Sequence, residues 1–234
     1  MLPGTFVKPP FHKFPFSSPR KLYKLTWGWL RSRVTSLVRT VIFKLSSKPS
    51  IWERALWRRN YKAIIPQAKA LHRAMSEALA AGNKPALAKV CVTKLSAKLG
   101  AAIDARPTGR RLTWELVKYN SARIADAKVL TIMEEPVRVT IYQVVVRIKS
   151  RQRLVEYDDS PQGGGRMVPG SAKELHLVEN VVLTTMVDSE TYRLSEWRIW
   201  GIVKDSTPES VAEDEVLMKA LQEEQVSKHK MAHG

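Results

Sequence analysis

Val137-Arg-Val-Thr-Ile-Tyr-Gln-Val-Val-Val-Arg-Ile148 is the stretch on which the fold turns. Eight of its twelve residues are β-branched, and neither glycine nor proline interrupts it. Such side chains crowd a helix and pack well on a pleated surface, so the spacing predicts a long strand running on to Arg153. Upstream, Arg111–Tyr119 and Arg123–Met133 read as two further strands, and Glu134-Glu-Pro136 as the turn into Val137. Downstream, Leu175–Asp188 and Arg193–Lys204 read as the last two, turned by Asp188-Ser-Glu-Thr191. Between them, Asp158 to Glu174 holds Ser160-Pro-Gln-Gly-Gly-Gly165 and Val168-Pro-Gly170, the composition of an exposed, mobile loop.

The chain before Arg111 has helical periodicity. Ser18 suits a cap and Pro19 the first turn, and Leu30, Val34, Leu37, Val38, Val41 and Leu45 recur along one face. Ser46-Ser-Lys-Pro49 ends that helix. Ser50 followed by Glu53 has capping-box spacing and predicts a second helix to about Ala81, kinked or divided at Pro66. Gly82-Asn83 stops it, and Leu87, Val90, Leu95 and Leu99 predict one more helix from Lys84 to about Ala102. Thr207-Pro-Glu opens a short acidic helix to about Gln225, followed by a disordered tail. Helices first and strands afterwards argue for an α+β fold, with N-terminal helices packed on a bent antiparallel sheet. The divisions expected are a basic arm and amphipathic helix (1–48), a folded domain (50–204), and an acidic helix and tail (205–234).

Charge is distributed as unevenly as secondary structure. The 234 residues carry a formal net charge of +17, yet residues 1–73 hold 16 Lys/Arg against one acid, Glu53. Residues 119–204 hold 12 against 11, and residues 205–234 hold 3 against 7. A polycationic N-terminal third points to a nucleic acid or an anionic membrane surface. The first 52 residues contain no acid and are rich in Ser, Arg and Lys, a composition that also suits a mitochondrial address. The four prolines of Met1-Leu-Pro-Gly-Thr-Phe-Val-Lys-Pro-Pro-Phe-His-Lys-Phe-Pro-Phe16 forbid a continuous helix there and predict an extended arm with aromatic anchors.

Glu179-Asn-Val-Val-Leu-Thr-Thr-Met186, a short turn, and Glu196-Trp-Arg-Ile-Trp-Gly-Ile-Val203 resemble the closing hairpin of the translocase-of-inner-membrane forty-four-like domain family. The resemblance spans roughly residues 50–204, and its helices match by order alone. It implies a nuclear-transport-factor-two-like cone. Within the family, the short chain and concentrated N-terminal charge resemble the mitochondrial large-subunit ribosomal protein forty-five branch. That branch implies a structural protein in the mitochondrial matrix, ribosome-bound near the tunnel exit and peripheral to the inner membrane. Its implied partners are large-subunit rRNA, neighbouring mitochondrial ribosomal proteins, and inner-membrane lipid or an insertase. The alternative from the same family is an inner-membrane-associated ribosome receptor or protein-import scaffold.

The candidate RNA-binding residues are Lys8, Lys13, Arg20, Lys21, Lys24, Arg31, Arg33, Arg39, Lys44, Arg54, Arg58 and Arg59. Cations on an arm and a helix can follow an irregular phosphate backbone, while Trp27, Trp29, Trp52 and Trp57 stand among them as stacking platforms or as core. A basic helix with an apolar face, residues 20–45, equally suits a lipid headgroup layer. Catalysis is not expected. Glu115, Asp126, Glu179 and His176 could point inward but show no pairing, and the five histidines lack metal-ligand spacing. No cofactor, metal or small-molecule substrate is therefore expected. Cys91 reads as a small buried hydrophobe on a helix. In the last strand, alternation separates Trp197, Ile199 and Gly201 from Arg198, Trp200 and Ile202, and Gly201 marks a bulge or close packing.

Overall fold

The structure, a computed structural model, describes residues 1–50, 52–134, 137–160, 163–216 and 219–220. Among the described residues a 3-10 turn (Phe11–Lys13) and four α-helices, α1 (Pro19–Ser46), α2 (Tyr61–Ala80), α3 (Lys84–Val90) and α4 (Thr93–Asp104), precede five strands. The strands are β1 (Arg110–Glu134), β2 (Val137–Asp158), β3 (Arg166–Met167), β4 (Lys173–Val187) and β5 (Arg198–Val203). They form an antiparallel sheet in the order β1-β2-β4-β5, with the two-residue β3 pairing the far end of β2. Residues 208–216 form a further helix. The expected turn at Glu134-Glu-Pro136 and the expected end of the acidic helix with its tail lie partly or wholly outside the described residues.

The fold is α+β as expected, with corrections to its parts. The two strands predicted over Arg111–Met133 are one strand, β1, whose register shifts at Leu116/Lys118, Tyr119/Ser121 and Ile124/Asp126. Each shift adds a residue opposite β2, which sharpens local twist and bends the strand without ending it. The helix predicted from Ser50 starts instead at Tyr61, where the Asn60 side chain accepts from Ala63 N–H. Residues 52–60 are irregular because Trp57 and Ala55 are pulled into the core, which a helix from Ser50 would not allow. Trp52 and Trp57 are thus on a loop. α2 passes through Pro66 undivided and ends at Gly82, whose φ of +70° closes the turn as Asn83 N–H reaches Ala78 C=O.

The helix predicted from Lys84 is broken at Cys91–Val92, where the backbone is extended and Val92 N–H donates to Ile199 C=O at 2.9 Å. Cys91 is therefore buried at a helix break, bridged to β5, and not on a helix face. Burial pushes its thiol up to about 11. The last strand is shorter than predicted, and residues 188–197 form its approach, with Tyr192 at φ 55°.

The two faces of the sheet are covered differently. On the first, Ile64, Ala68, Leu71, Met75 and Ala78 of α2 meet Val144, Val146, Ile148, Val181, Leu183 and Ile199 in an apolar core. Fully burying each large aliphatic side chain there contributes about 1.5–3 kcal/mol. Trp197 belongs to this side, its ring 5.4 Å from Tyr142, while Trp200 is partly exposed.

On the second face the inward side chains include Asp126, Lys128, Gln143, Arg147 and Asn180, all buried. Part of their cover is the segment Leu2–Val7, which meets Gln143 and Asp126. Leu2 N–H donates to Gln143 at 3.0 Å, Phe6 N–H to Asp126 at 3.0 Å, and Val7 and Ser206 exchange hydrogen bonds of 2.9 Å. The expected extended arm is, over Leu2–Val7, a strap that lends Val7 to a second small core with Val145 and Val182. Buried polar groups on the sheet need partners: the strap's backbone supplies them for Gln143 and Asp126, and Asp205 supplies them for Arg147 and Asn180.

Candidate nucleic-acid interface

α1 is oriented by a polar contact. Its buried residues, Leu25, Ser32, Ser36 and Phe43, lie on one face at helical spacing. Lys128 Nζ donates to Ser32 Oγ and Ser36 Oγ at 3.1 Å each and sits 3.8 Å from Asp126. Burial pulls the Lys128 ammonium down, and Asp126 offsets part of that. Because small hydroxyls face inward, the apolar stripe faces out. Leu30, Val34, Leu37, Val38, Val41 and Leu45 are 46–59% exposed. Tyr23 and Trp27 extend the stripe towards the helix N-terminus, and Arg20, Lys24, Arg31 and Lys44 flank it.

The twelve candidate cations divide into two groups. In the first, Lys13 pairs with Asp205 at 3.6 Å, Lys21 with Glu209 at 3.3 Å, and Arg31 with Glu215 at 3.4 Å. The acidic C-terminal segment thus lies along the N-terminal half of α1. Gly28 permits this approach: a Cβ there would stand 2.7 Å from Val211 Cγ1. Lys8 lies over the Trp29 ring at 5.1 Å, and Arg33 reaches Ala125 C=O at 3.5 Å. Arg39 is half-buried beside a small cavity with Lys128 and Asp214. Arg20 and Lys24 are exposed and have no ion-pair partner among the described residues.

The second group converges. Lys44, Arg54, Arg58 and Arg59 line a cleft of about 670 Å³ with Thr40, Ala55, Trp57 and Glu53. Lys48, which the sequence reading does not single out, is there as well. The cleft is shaped by Ser47: its C=O accepts from Leu56 N–H at 3.1 Å and its hydroxyl from Trp57 N–H at 3.3 Å. That clamp brings Leu56 and Trp57 back against the end of α1. Among the described residues none of the five cations has an ion-pair partner, and Glu53 is the one carboxylate lining the cleft. Cations gathered in a concavity focus positive potential on whatever enters.

Two of the residues that line the cleft also carry buried donors. Arg59 bonds Thr40 Oγ1 and Tyr61 OH through its terminal nitrogens, leaving Nε unpartnered. Trp57 Nε1 and Tyr142 OH are likewise buried without partners, and their rings meet edge-on at 5.7 Å. These three are the unpartnered buried side-chain polar atoms among the described residues.

The candidate inward-pointing groups are corrected too. Glu115 and His176 are exposed. Glu179 is paired after all, with His72, a residue the sequence reading leaves as a histidine on a helix. His72 Nε2 lies 3.0 Å from Glu179 and Nδ1 lies 3.1 Å from Tyr119 OH. Gln152 donates to Glu179 at 2.9 Å and accepts from Trp114 at 2.7 Å. Burial alone would raise the Glu179 carboxyl; the hydrogen bond and charge of His72, with Gln152, outweigh it and hold the group below the usual carboxylate range. Burial pushes Tyr119 up to about 12. Each member has a partner inside the network, so the cluster ties α2 to the sheet. No sequence spacing reports a pairing across 107 residues. Asp126 is paired as well, through Phe6 N–H and Lys128. Among the described residues, no group of three His, Cys, Asp or Glu is placed to hold a metal, and no helix is long and apolar enough to cross a membrane.

Compared with protein-family models the chain matches none, and it matches no curated protein.

Proposed function

We propose that this chain is a structural, RNA-binding protein of the mitochondrial large ribosomal subunit, seated near the tunnel exit and facing the inner membrane. The fold would be the nuclear-transport-factor-two-like cone of the translocase-of-inner-membrane forty-four-like domain family. Its partners would be large-subunit rRNA and neighbouring ribosomal proteins in the mitochondrial matrix, with no reaction catalysed. The observation that carries the reading is the cleft in which Lys44, Lys48, Arg54, Arg58 and Arg59 meet with one carboxylate between them. Leaving five cations together is unfavourable by mutual repulsion, and a bound phosphate backbone relieves it.

The test uses the full chain. Removing residues 1–48 would strip Val7 and Phe43 from the two cores and confuse unfolding with lost binding. Lys44→Glu/Arg54→Glu/Arg58→Glu should instead leave the fold intact and release the protein from ribosomal particles in moderate salt. Retention of that variant would remove the cleft as the RNA anchor.

A second reading, an inner-membrane-associated ribosome receptor or import scaffold, is favoured by the outward apolar stripe of α1. Apolar side chains flanked by cations are what an anionic lipid interface accepts. The two readings separate on Leu37→Asp/Val41→Asp. A receptor variant would leave the membrane fraction after ribosomes are dissociated; a ribosomal protein variant would stay with rRNA.

A further inference from the structure

The loop after α1 carries two features that phosphate attraction alone leaves without a role. The first is Trp52, 95% exposed, whereas the next most exposed tryptophan, Trp27, is 48% exposed. An indole is a large apolar surface, and folded chains rarely hold one wholly in water. Trp52 is held there by construction. Glu53 N–H bonds Ser50 C=O at 3.1 Å, which puts Trp52 in a turn, and Ser47 clamps the loop's far end through Leu56 and Trp57. Its sequence neighbours Glu53 and Arg54 both line the cleft.

The second feature is the pair of buried donors, Arg59 Nε and Trp57 Nε1, on residues that line the same cleft. A buried N–H without an acceptor is unfavourable, and an entering oxygen acceptor relieves it. A phosphate is such an acceptor and carries the charge that Lys44, Lys48, Arg54 and Arg58 attract. A-form helical RNA could offer phosphates to these cations, but its bases are stacked inside and cannot reach an aromatic platform. An unpaired nucleotide offers both groups at once.

We propose that the cleft and Trp52 together hold an unstacked nucleotide of an RNA strand, its phosphate against Arg59 and Trp57 and its base on the Trp52 indole, so that the site selects single-stranded over helical RNA. This rests on the RNA-binding reading and adds the conformation of the RNA that is bound. The roles differ between the two tryptophans: Trp57 builds the floor, and Trp52 meets the base.

Fluorescence anisotropy with the full chain tests it, using a single-stranded RNA of about 12 nucleotides and a blunt-ended RNA duplex of equal charge, which has no unpaired loop. The wild type should prefer the single strand by about tenfold or more. Trp52→Ala should abolish that preference, weakening single-strand binding about tenfold and leaving duplex binding unchanged. Trp52→Phe should restore most of it. With its side chain in water, Trp52 can be removed without unfolding the chain, which circular dichroism checks. Equal weakening on both RNAs, or none on either, overturns the nucleotide proposal. If the Lys44→Glu/Arg54→Glu/Arg58→Glu variant loses both RNAs in that case, the RNA-binding reading survives alone. If that variant loses neither, that reading falls as well. Anionic phosphatidylserine vesicles serve as the other arm: loss of vesicle binding with RNA binding intact would make Trp52 a membrane contact and overturn the proposal.

Discussion

The basic third of this chain is two regions with different fates. Just before α1 and along its N-terminal half, Lys13, Lys21 and Arg31 are met by Asp205, Glu209 and Glu215 of the same chain. At the C-terminal end of α1 and the following loop, Lys44, Lys48, Arg54, Arg58 and Arg59 meet one another around a cleft. Both regions are equally basic as sequence. The difference teaches that a count of cations overstates the surface open to a polyanion, since the acidic C-terminal segment has folded back over part of it. Exposed ion pairs of this kind contribute little stability, but they lower the potential where they form.

The largest effect expected lies beneath the cleft. Trp57→Ala should cost about 3–5 kcal/mol of stability in urea unfolding, because the indole fills the space between Phe43 and Tyr142. Trp52→Ala, five positions earlier, should stay within about 0.5 kcal/mol. A comparable loss at both would mean that the loop is not held as described.

The comparison itself is sharpest in RNA binding. Lys44→Glu/Arg54→Glu/Arg58→Glu should weaken affinity about 100-fold at moderate salt and reduce the salt slope by about three. Lys21→Glu/Arg31→Glu should change it only about two- to threefold, since those cations already hold carboxylates. Equal losses would erase the distinction between the regions.

Gly28→Ala comes next. Its Cβ would meet Val211 Cγ1 at 2.7 Å, and the strain should cost about 1–3 kcal/mol unless Val211→Ala accompanies it. The single variant should also loosen the acidic helix and raise RNA affinity; a rise without Gly28→Ala having any effect on unfolding would break the link.

The smallest effect is the most diagnostic. Glu209→Gln/Glu215→Gln should raise RNA affinity about two- to fivefold at low salt, and the gain should vanish at high salt. Acidification should not imitate it. Hydrogen bonds from its own backbone N–H and from Lys21 hold the Glu209 carboxyl below its ordinary range. A depressed folded-state value keeps the pair ionised until pH falls below the ordinary carboxylate value, so affinity should be level from about pH 7 to about pH 5. The gain from Glu209→Gln/Glu215→Gln should therefore be as large at about pH 5 as at about pH 7, and a gain lost by about pH 5 would show that Glu209 is not held ionised.

Much of the fold was legible before folding. The strand at Val137 and the helix from Pro19 follow from local periodicity, and Gly82 stops α2 because a left-handed turn needs no Cβ there. What was not legible follows from long-range packing. Ser50 and Glu53 have the spacing of a helix cap, yet burial of Trp57 and Ala55 overrides that local preference. The break at Cys91 exists because Val92 bonds Ile199 across the molecule. Of the twelve candidate cations, four share the cleft, and Lys48 joins them from a segment that reads only as a helix stop. His72 and Glu179 carry no local signal of each other.

Composition and periodicity were enough to establish a basic N-terminal third, helices before strands, and a helix with one apolar stripe. Folding decided which way that stripe points, since two serines and a buried Lys128 claim the other side of α1. It also decided which cations remain available. Local sequence sets the type of each element because backbone preference is local. The pairing of charges across 184 residues, as between Arg31 and Glu215, depends on which surfaces the core brings together.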